Sequence, residues 1–383
     1  MAAWIPASGT PVVGAVFDTS TALLPEARVD REASLGHGTV TGDVWIGGIP
    51  YEVGASLEPR ATYMVRPADA PLPTARWSRI EPIDRFEHRP RSWRLGAPTP
   101  VPDRYREGVD RCLEHIRAGD VYQVNLAHRL VMPFEGSARH LAAALLEMVH
   151  PAWGVYVEHD DAGSREIVIS LSPELFLDVS GRSVRTRPMK GTRPVDEDPA
   201  ALMASEKDQA ELTMIVDLMR NDLGRVASFG SVQVTEARTL EAHGSVWQTV
   251  GEVRATMREG VTRADLVRAT FPPGSVTGAP KIRAMQIIES LEDGPRGFYT
   301  GALGVVTPES MTLNVGIRTL QIRGVPDPSS RDGILAGEAI YHVGAGIVAD
   351  STPDGEWAET LVKARALDAA LHSTDVQTTH SDR

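Results

Sequence analysis

The stretch Thr300–Arg323, TGALGVVTPESMTLNVGIRTLQIR, decides the class of fold. Apolar residues concentrate in two runs of strand type, Thr300–Val306 and Met311–Arg323, and the Thr-Pro-Glu-Ser between them is typical of a turn. Two strands with so short a connection pair antiparallel, and a third run, Glu338–Val343, follows them. Such runs, mixed with helices, predict an α+β fold with antiparallel sheet rather than repeated βαβ units.

Upstream, the spacing of apolar residues predicts further strands and helices. The helices are predicted at Tyr105–Arg117, Ala138–His150, Pro199–Arg220, Ala264–Thr270, Pro280–Leu291 and Asp354–Leu371. The strands are predicted at Val121–Leu130, Trp153–His159 and Ile167–Leu171. Prolines in Arg89–Pro102 exclude regular helix, so we interpret that segment as a connection. The chain is thereby divided into an N-terminal portion (1–103), a main region (104–371) and a disordered tail (372–383).

Composition limits the class of protein. The 383 residues include 39 basic and 51 acidic side chains, a net charge of −12, which would on average repel nucleic acid and anionic membranes. Cys112 is the only cysteine, which excludes an internal disulfide and a cysteine-based metal cluster. The first residues do not have the pattern of a signal peptide, and no stretch has the ~20 apolar residues that span a bilayer. We therefore expect a soluble cytoplasmic protein with neither nucleic acid nor membrane as partner.

Two segments supply candidate groups for acid–base and nucleophilic chemistry. Ser172-Pro-Glu places the carboxylate of Glu174 directly after an apolar strand. Pro-Met-Lys-Gly-Thr places Lys190 in a tight loop. A lysine in a loop is most often a solvated charge, but the neighbouring proline and glycine fix this one more than a surface lysine requires. A lysine acts as a nucleophile only when deprotonated, which burial or a nearby cation favours.

Three glutamates are candidates for binding a hard cation. Glu211 lies in a predicted helix, and Glu356 and Glu359 stand three residues apart on one face of another. Crowded carboxylates repel one another, and Mg²⁺ would relieve that repulsion. The alternative is a charged surface on which Glu211 faces solvent and Lys363 pairs with Glu359.

Three further features suit an anionic ligand. Gly344-Ala345-Gly346 follows a predicted strand, where glycine lets amides approach a ligand, although a bulge or tight turn explains the pattern equally well. The Gly/Pro loop Pro272–Lys281 opens a helix and would present amides and hydroxyls at its positive end, as any capped helix start would. Arg318 would pair either with a ligand carboxylate or with a surface acid.

Taken in order, these segments resemble the chorismate-utilising enzymes and, within them, the branch of aminodeoxychorismate synthase component I. The resemblance covers residues 104–370, and the order of its motifs makes it more specific than any one of them. The matching runs are Ala118–Arg129, Ser170–Glu174, Arg187–Thr192, Lys207–Glu211, Met214–Asp222, Phe271–Met285, Arg296–Gly301, Ile317–Thr319 and Gly344–Ser351. The N-terminal portion matches weakly, chiefly at Gly48–Gly54.

A few positions separate the branches of this family. Its anthranilate-forming members carry alanine where this chain has Lys190, and its isochorismate- and salicylate-forming members carry a water-activating lysine where it has Gln123. Members often have histidine at the position of Gln248 and aspartate at that of Asn314. A further departure is the insertion Gly324–Leu335, predicted to be a surface loop.

The resemblance implies two large antiparallel sheets packed as a sandwich, with helices outside and the chorismate site in the region 104–371. Glu174 would protonate the departing C4 hydroxyl of chorismate, and Lys190 would form a covalent adduct that ammonia displaces to give 4-amino-4-deoxychorismate. Mg²⁺ would be held by Glu211 and Glu359, with Glu356 close by. The implied substrate-binding residues are Gly191, Thr192, Gln248, Ser275, Thr277, Tyr299, Arg318, Gly344, Ala345, Gly346 and Lys363.

The resemblance also implies that the ammonia is supplied from outside the matched region. The sequence shows no cysteine-centred glutaminase motif, and Cys112 lies in a predicted helix, so we expect a separate glutamine amidotransferase subunit or free ammonia. The N-terminal portion has no clear match to the tryptophan-binding signature of feedback-regulated relatives. Two alternatives stay open: an anthranilate-type synthase, which Lys190 argues against, and a catalytically silent subunit that binds chorismate or a partner, which Gln248 keeps open.

Overall fold

The computed structural model describes residues 2–5, 12–20, 22–25, 32–35, 38–41, 43–61, 74–82, 93–161, 163–243, 246–327 and 334–372. The strands up to the first long helix are β1 (Ala2–Ile5), β2 (Val12–Ser20), β3 (Glu32–Leu35), β4 (Gly38–Thr41), β5 (Val44–Ile49), β6 (Arg76–Pro82) and β7 (Trp93–Leu95). The central strands are β8 (Gln123–Ser137), β9 (Trp153–Asp161), β10 (Ser164–Ser172), β11 (Leu175–Ser180), β12 (Ser183–Arg187), β13 (Met189–Pro194), β14 (Gln233–His243) and β15 (Val246–Thr256). The remaining strands are β16 (Gly278–Ala279), β17 (Ala302–Val306), β18 (Ser310–Val315), β19 (Thr319–Pro326) and β20 (Ile334–Ile347).

Helices cover the outside of these strands. They are α1 (Val53–Leu57), α2 (Pro102–Arg117), α3 (Ala138–Val149), α4 (Pro199–Ala204), α5 (Glu206–Gly224), α6 (Arg263–Thr270), α7 (Lys281–Leu291) and α8 (Pro353–His372). The helix α2 begins with a proline, which costs no hydrogen bond at that position. None of the helices in the described ranges has both the length and the apolarity needed to cross a bilayer.

Strand pairing among the described residues is antiparallel, and most of the strands form one path that folds back on itself; β13 and β16 pair beside it with β15 and β8, and β3 and β4 form a separate hairpin. The path runs β7-β8-β20-β19-β10-β9-β1-β2-β6-β5-β17-β18-β11-β12-β15-β14. Its two halves pack face to face where β9 lies against β5 and β17, through buried residues such as Val155, Ile46 and Leu303. Helices α3 and α8 cover one half, and α5 and α6 cover the other. The predicted α+β sandwich of two antiparallel sheets with helices outside is confirmed.

The deciding hairpin is present, but its second strand is divided. The predicted strand Met311–Arg323 breaks at Gly316–Arg318, and Arg318 has a left-handed φ of 50°. The reason is topological: β18 pairs with β11 and β17 in one half, whereas β19 pairs with β10 and β20 in the other. The break at Arg318 is therefore the point at which the chain crosses between the two halves.

Several predicted boundaries differ from the structure. The predicted helix Pro199–Arg220 is two helices, because Ser205 is extended and its hydroxyl accepts the amide of Asp208 at 3.2 Å as an N-cap. The segment Gly324–Leu335, predicted to be a surface loop, includes the end of β19 as far as Pro326 and the start of β20 from Ile334. Residues 328–333 lie outside the described ranges.

The two ends of the chain also differ from the prediction. The proline-rich connection includes β7, which pairs with β8, and residues 89–92 of it lie outside the described ranges. Of the predicted tail 372–383, residue His372 ends α8, and residues 373–383 lie outside the described ranges.

Candidate active site

The carboxyl of Glu174 lies between the two halves of the sandwich, directly after β10. It is buried, and its Oε1 accepts a hydrogen bond from the hydroxyl of Ser275 at 2.6 Å. Burial raises the pKa of Glu174 to about 7, while the bond from Ser275 and the charge of Lys190 oppose that rise. A carboxyl with this pKa is protonated in a large fraction of the molecules near neutral pH, so it can act as a general acid.

Lys190 lies on a strand and not in the predicted tight loop. Its strand, β13, pairs with β15, but the register shifts between Lys190 and Thr192 because Gly191 has a left-handed φ of 70°. The bulge leaves the Nζ of Lys190 3.5 Å from the carbonyl of Ser275 and 3.9 Å from Glu211. Ser275 therefore contacts both predicted catalytic groups, the acid through its hydroxyl and the lysine through its carbonyl.

Gln248 lies on β15 beside the bulge. Its Nε2 donates to the hydroxyl of Thr192 at 3.3 Å, and its buried Oε1 has no partner in the described residues. The hydroxyl of the neighbouring Thr249 donates to the carbonyl of Lys190 at 2.6 Å and fixes the backbone there. Gln248 thus offers the site a neutral amide oxygen.

The first turns of α8 carry two of the predicted metal ligands. Glu356 is buried and accepts a bond from Ser351 at 2.5 Å, whereas its Oε2 has no partner in the part of the chain that the structure describes. Glu359 is half exposed and pairs with Lys363 at 2.8 Å, as the surface alternative expected. Burial and the charge of Glu359 raise the pKa of Glu356. For Glu359, burial acts against the positive charge of Lys363, which prevails and lowers the pKa.

Glu211 faces the site from α5, and its side chain is 15% exposed, which excludes the solvent-facing alternative. Its two oxygens lie 3.9 Å from the Nζ of Lys190 and of Lys207, beyond hydrogen-bond distance. Among the described residues, no group of three or more His, Cys, Asp or Glu side chains is close enough to hold a metal ion. The donors suit a hard cation, since they are carboxylates and the Oε2 of Glu356 is unpartnered among the described residues, but they do not form a ready cluster.

Gly344, Ala345 and Gly346 lie inside β20, which corrects the prediction that they follow a strand. Their partners on β8 show which way the amides point. Asn125 and Ala127 donate away from β20, to Thr277 and Glu292 at 2.8 Å, so their partners Gly346 and Gly344 also point away from β8. The pairing of β20 with β19 ends at Tyr341, so the edge at both glycines is open. The carbonyl of Gly344 accepts a bond from Lys363 at 2.9 Å.

The remaining predicted residues fall into two groups. A Cβ placed on Gly344 would lie 2.8 Å from the hydroxyl of Tyr299, and one on Gly346 would lie 3.6 Å from the Nζ of Lys190, so this edge adjoins both residues. Arg318 has no ion pair with a described residue, and burial lowers the pKa of its guanidinium. By contrast, the hydroxyl of Thr277 donates to the carbonyls of its own turn, at 3.2 and 3.3 Å, which is a structural role.

Four polar residues that lie around this edge or beside Glu356 were given no binding role from the sequence. Gln123 and Asn125 are buried, and an atom of each amide group lacks a partner in the described residues. His342 stacks on Tyr299 with ring centroids 5.2 Å apart, and burial lowers its pKa to about 3, so it is neutral. The signal for Gln123 and for Ser351, which binds Glu356, was their presence in matched runs; His342 had no local signal.

Asn314 is buried and fully bonded, which explains the amide at this position. Its Nδ2 donates to the carbonyl of Trp153 at 2.8 Å, and its Oδ1 accepts the amide of Leu303 at 3.3 Å. An ionised aspartate would accept the second bond but could not donate the first. The departure from aspartate therefore supports the packing of β18 between its neighbours.

Comparison with known proteins agrees with this arrangement. Residues 97–369 match the family described as chorismate binding enzyme. The chain is 40% identical over 283 residues to anthranilate synthase component 1 of Streptomyces coelicolor, covering 71% of this chain and 52% of that one. It is 36% identical over 284 residues to aminodeoxychorismate synthase component 1 of Bacillus subtilis, covering 72% and 57%. The chain thus spans about half the length of these curated relatives.

Solved structures give the same answer for the fold. The chain resembles anthranilate synthase component I from Streptococcus pneumoniae with a TM-score of 0.70 and 25% identity, covering 88% of this chain and 83% of that one. The menaquinone-specific isochorismate synthase from Escherichia coli has a TM-score of 0.70 at 17% identity, covering 97% and 88%. With the family match extending over most of the chain, the conclusion is that this protein belongs to the chorismate binding enzymes.

Proposed function

We propose that this protein is the component I type of aminodeoxychorismate synthase, which converts chorismate and ammonia to 4-amino-4-deoxychorismate. One observation carries the proposal: Ser275 links a partly buried lysine, Lys190, to a buried carboxyl, Glu174, whose pKa is about 7. A nucleophile and a general acid that both contact the same residue suit a substitution that proceeds through a covalent adduct.

In the first step the protonated carboxyl of Glu174 gives its proton to the C4 oxygen of chorismate. The amine nitrogen of Lys190 bonds to C2, both double bonds of the ring diene shift by one position, and the C4–oxygen bond breaks to release water. In the second step ammonia bonds to C4, both double bonds return, and the bond from C2 to the nitrogen of Lys190 breaks. The ammonia nitrogen loses a proton, which restores Glu174 through solvent or directly.

The carboxylates of the substrate would meet the open edge of β20. The amides of Gly344 and Gly346 point there, and Tyr299 adjoins it. The partly buried guanidinium of Arg318 would supply a charged fork to one carboxylate. Gly191 and Thr192 shape the bulge beside Lys190, and Lys363 already reaches this edge through the carbonyl of Gly344.

Mg²⁺ fits the proposal as a resident cofactor. Glu211, Glu356 and Glu359 would hold it, using the unpartnered Oε2 of Glu356 and the loosely contacted oxygens of Glu211. When bound, the ion would neutralise the carboxylate on the substrate ring and orient the ring.

The ammonia would come from a separate glutamine amidotransferase subunit or from solution. Relatives named component 1 support this division of labour. The thiol of Cys112 is buried in α2, and burial raises its pKa to about 12, which does not suit a glutaminase nucleophile. A reducing cytoplasmic setting, consistent with this free thiol, is part of the proposal.

An anthranilate-forming reaction is the second candidate, because relatives with that name are as similar as those named aminodeoxychorismate synthase. The lysine at this position supports amination at C4: a Cβ on Gly346 would lie 3.6 Å from its Nζ, and an amine there would take up space that ammonia would need to attack C2. Incubation with chorismate, Mg²⁺ and ammonium, followed by mass spectrometry, separates the two products. Fluorescent anthranilate without 4-amino-4-deoxychorismate would refute the proposal.

The adduct itself is tested by intact-protein mass spectrometry after incubation with chorismate and Mg²⁺ but no ammonia. The wild type is expected to gain one substrate-derived mass, and Lys190→Ala is expected to gain none. Lys207→Ala is the matched control, because its Nζ lies at the same 3.9 Å from Glu211. If Lys190→Ala turned over at the normal rate and the wild type stayed unmodified, the nucleophile role would be excluded. If the wild type neither gained the adduct nor turned over chorismate with ammonium, the silent-subunit alternative would be favoured.

A further inference from the structure

A cavity lies along the edge of β8 that faces away from β20, separate from the open edge of β20 at Gly344 and Gly346. Its volume is about 290 Å³. Its walls come from the start of α2, from the segment after α7 and from residues 126–131 of β8. Neither the catalytic groups nor the proposed metal ligands line it, and His342, which stacks on Tyr299, is the lining residue that it shares with the surroundings of the active-site edge.

The cavity lies where the edge of β8 loses its partners. Alternate residues of β8 point their backbone groups to this edge. The amide of Ala127 is bonded to Glu292, and the carbonyls of Val131 and Pro133 accept the amides of Thr99 and Gly96 at 3.1 and 2.9 Å. The register with β20 does not shift along β8, so the amide and carbonyl of Arg129 point the same way. They have no partner in the described residues, and an unpaired strand-edge amide beside a cavity is a donor available to a ligand.

Positive charge surrounds the same opening. The guanidinium groups of Arg104 and Arg129 share a single carboxylate, Asp293, at 3.3 and 3.8 Å. The other acid in the wall, Glu292, is already bonded to Arg296 at 2.6 Å. In a chain with a net charge of −12, this leaves a local excess of one positive charge at the rim.

The interior is apolar. Leu126, Val131 and Leu291 line it together with the ring of Tyr105, and Val101 lies at the opening with 39% of its surface exposed. The imidazoles of His128 and His342 also contribute, and burial lowers their pKa values to about 4 and about 3, so both are neutral and add no charge. An apolar chamber with cationic groups and a free amide at its rim is complementary to a small apolar body with one carboxylate.

We infer that this cavity is a second ligand site, distinct from the active site, for a small aromatic or alicyclic monocarboxylate. The carboxylate would bind the amide of Arg129 and the guanidinium groups of Arg104 and Arg129, and the ring would lie against Leu126 and Val131. This inference does not rest on the proposed reaction. A ligand here would contact the strand whose other residues, Gln123 and Asn125, face the active site.

The test uses benzoate as the probe and isothermal titration calorimetry of the full chain. Benzoate is expected to bind the wild type with a measurable Kd, and Arg104→Gln and Arg129→Gln are each expected to weaken binding about tenfold or more, as the loss of a charge-assisted hydrogen bond does. Neutral benzamide, of the same shape, is expected to bind at least about tenfold more weakly. The matched control is Arg111→Gln, an exposed arginine of α2 paired with Glu114 outside the cavity.

Two further variants separate this cavity from the active site. Val101→Trp fills the opening without changing charge and is expected to abolish benzoate binding. Arg318→Gln removes the guanidinium that is the candidate carboxylate ligand of the active site, and it is expected to leave the Kd for benzoate unchanged. The inference is overturned if no saturable binding occurs, if Val101→Trp and Arg104→Gln bind benzoate normally, or if binding is lost only in Arg318→Gln.

Discussion

The hydroxyl of Ser275 donates to the carboxylate of Glu174 at 2.6 Å, while the carbonyl of the same residue receives the Nζ of Lys190 at 3.5 Å. Ser275 therefore sets the distance between the proposed acid and the proposed nucleophile, and it also tunes the acid. Its bond stabilises the ionised form of Glu174 and so opposes the effect of burial on the pKa.

Replacing Ser275 should move the pH profile of the reaction. In Ser275→Ala the ionised form of Glu174 loses a hydrogen bond, so its pKa rises above the wild-type value of about 7. The general acid then stays protonated to higher pH, and the alkaline limb of kcat/KM is expected to shift upward. Ser275→Thr, which keeps the hydroxyl, should retain the wild-type limb. An unmoved limb in Ser275→Ala would show that Glu174 does not control it.

The raised pKa of Glu174 also predicts a dependence of stability on pH. The unfolded carboxyl ionises near its ordinary pKa of 4.5, whereas the folded one stays protonated to about pH 7. Between these values the unfolded state binds fewer protons, so stability falls as pH rises, by about 3 kcal/mol for this group. In urea unfolding, Glu174→Gln should therefore gain on the wild type between pH 4.5 and 7. Glu309→Gln, in an exposed turn, is the control, and a difference independent of pH would contradict the assignment.

Removing the metal should remove activity. Excess chelator is expected to abolish turnover, and Mg²⁺ is expected to restore it. Glu359→Gln should raise the Mg²⁺ concentration for half-maximal activity by about tenfold or more, because a neutral amide is a poorer ligand for a hard cation. Asp354→Asn is the control in the same helix, since its partner is the exposed Arg106. Full activity in excess chelator would show that the carboxylates have another role.

The amine donor should be ammonia and not glutamine. The purified chain is expected to turn over chorismate with ammonium salts and to show no turnover with glutamine alone. Raising the pH increases free ammonia but depletes the protonated form of Glu174 above about pH 7. At fixed total ammonium, the rate should therefore pass through a maximum and not rise throughout. Glutamine-dependent turnover by this chain alone would reveal a glutaminase site.

Local signals in the sequence predicted most elements of the fold. Alternating apolar runs indicated the strands around the hairpin. The helix of Cys112, predicted at Tyr105–Arg117, spans Pro102–Arg117 in the structure. Errors arose where pairing overrides local preference. Glycines at Gly344 and Gly346 indicate a turn, yet fourteen consecutive pairs with β8 hold them in a strand. The break at Arg318 had no local signal, because it reflects the crossing between halves.

The local sequence indicated some residues of the candidate site, but it could not show the contacts that depend on strand pairing. Glu174, Lys190 and Glu211 lie in distinctive local patterns, and the structure brings them around Ser275 and one another. Which atoms stay unpaired was not readable from sequence. Whether Asn125 has a free amide depends on strand register, and the stack of His342 on Tyr299 joins residues on different strands.

The ladder between β8 and β20 has a consequence for how the chain folds. The pair Val124 and Ile347 is more than two hundred residues apart in sequence, and Gly344 and Gly346 of the same ladder border the candidate active site. Closing such distant contacts is slow, because the entropy of the intervening chain must be overcome before the contacts form. During synthesis β8 leaves the ribosome long before its partner, and its edge stays open until β20 is made. Assembly of the site is therefore a late folding event, and aggregation in that interval competes with it.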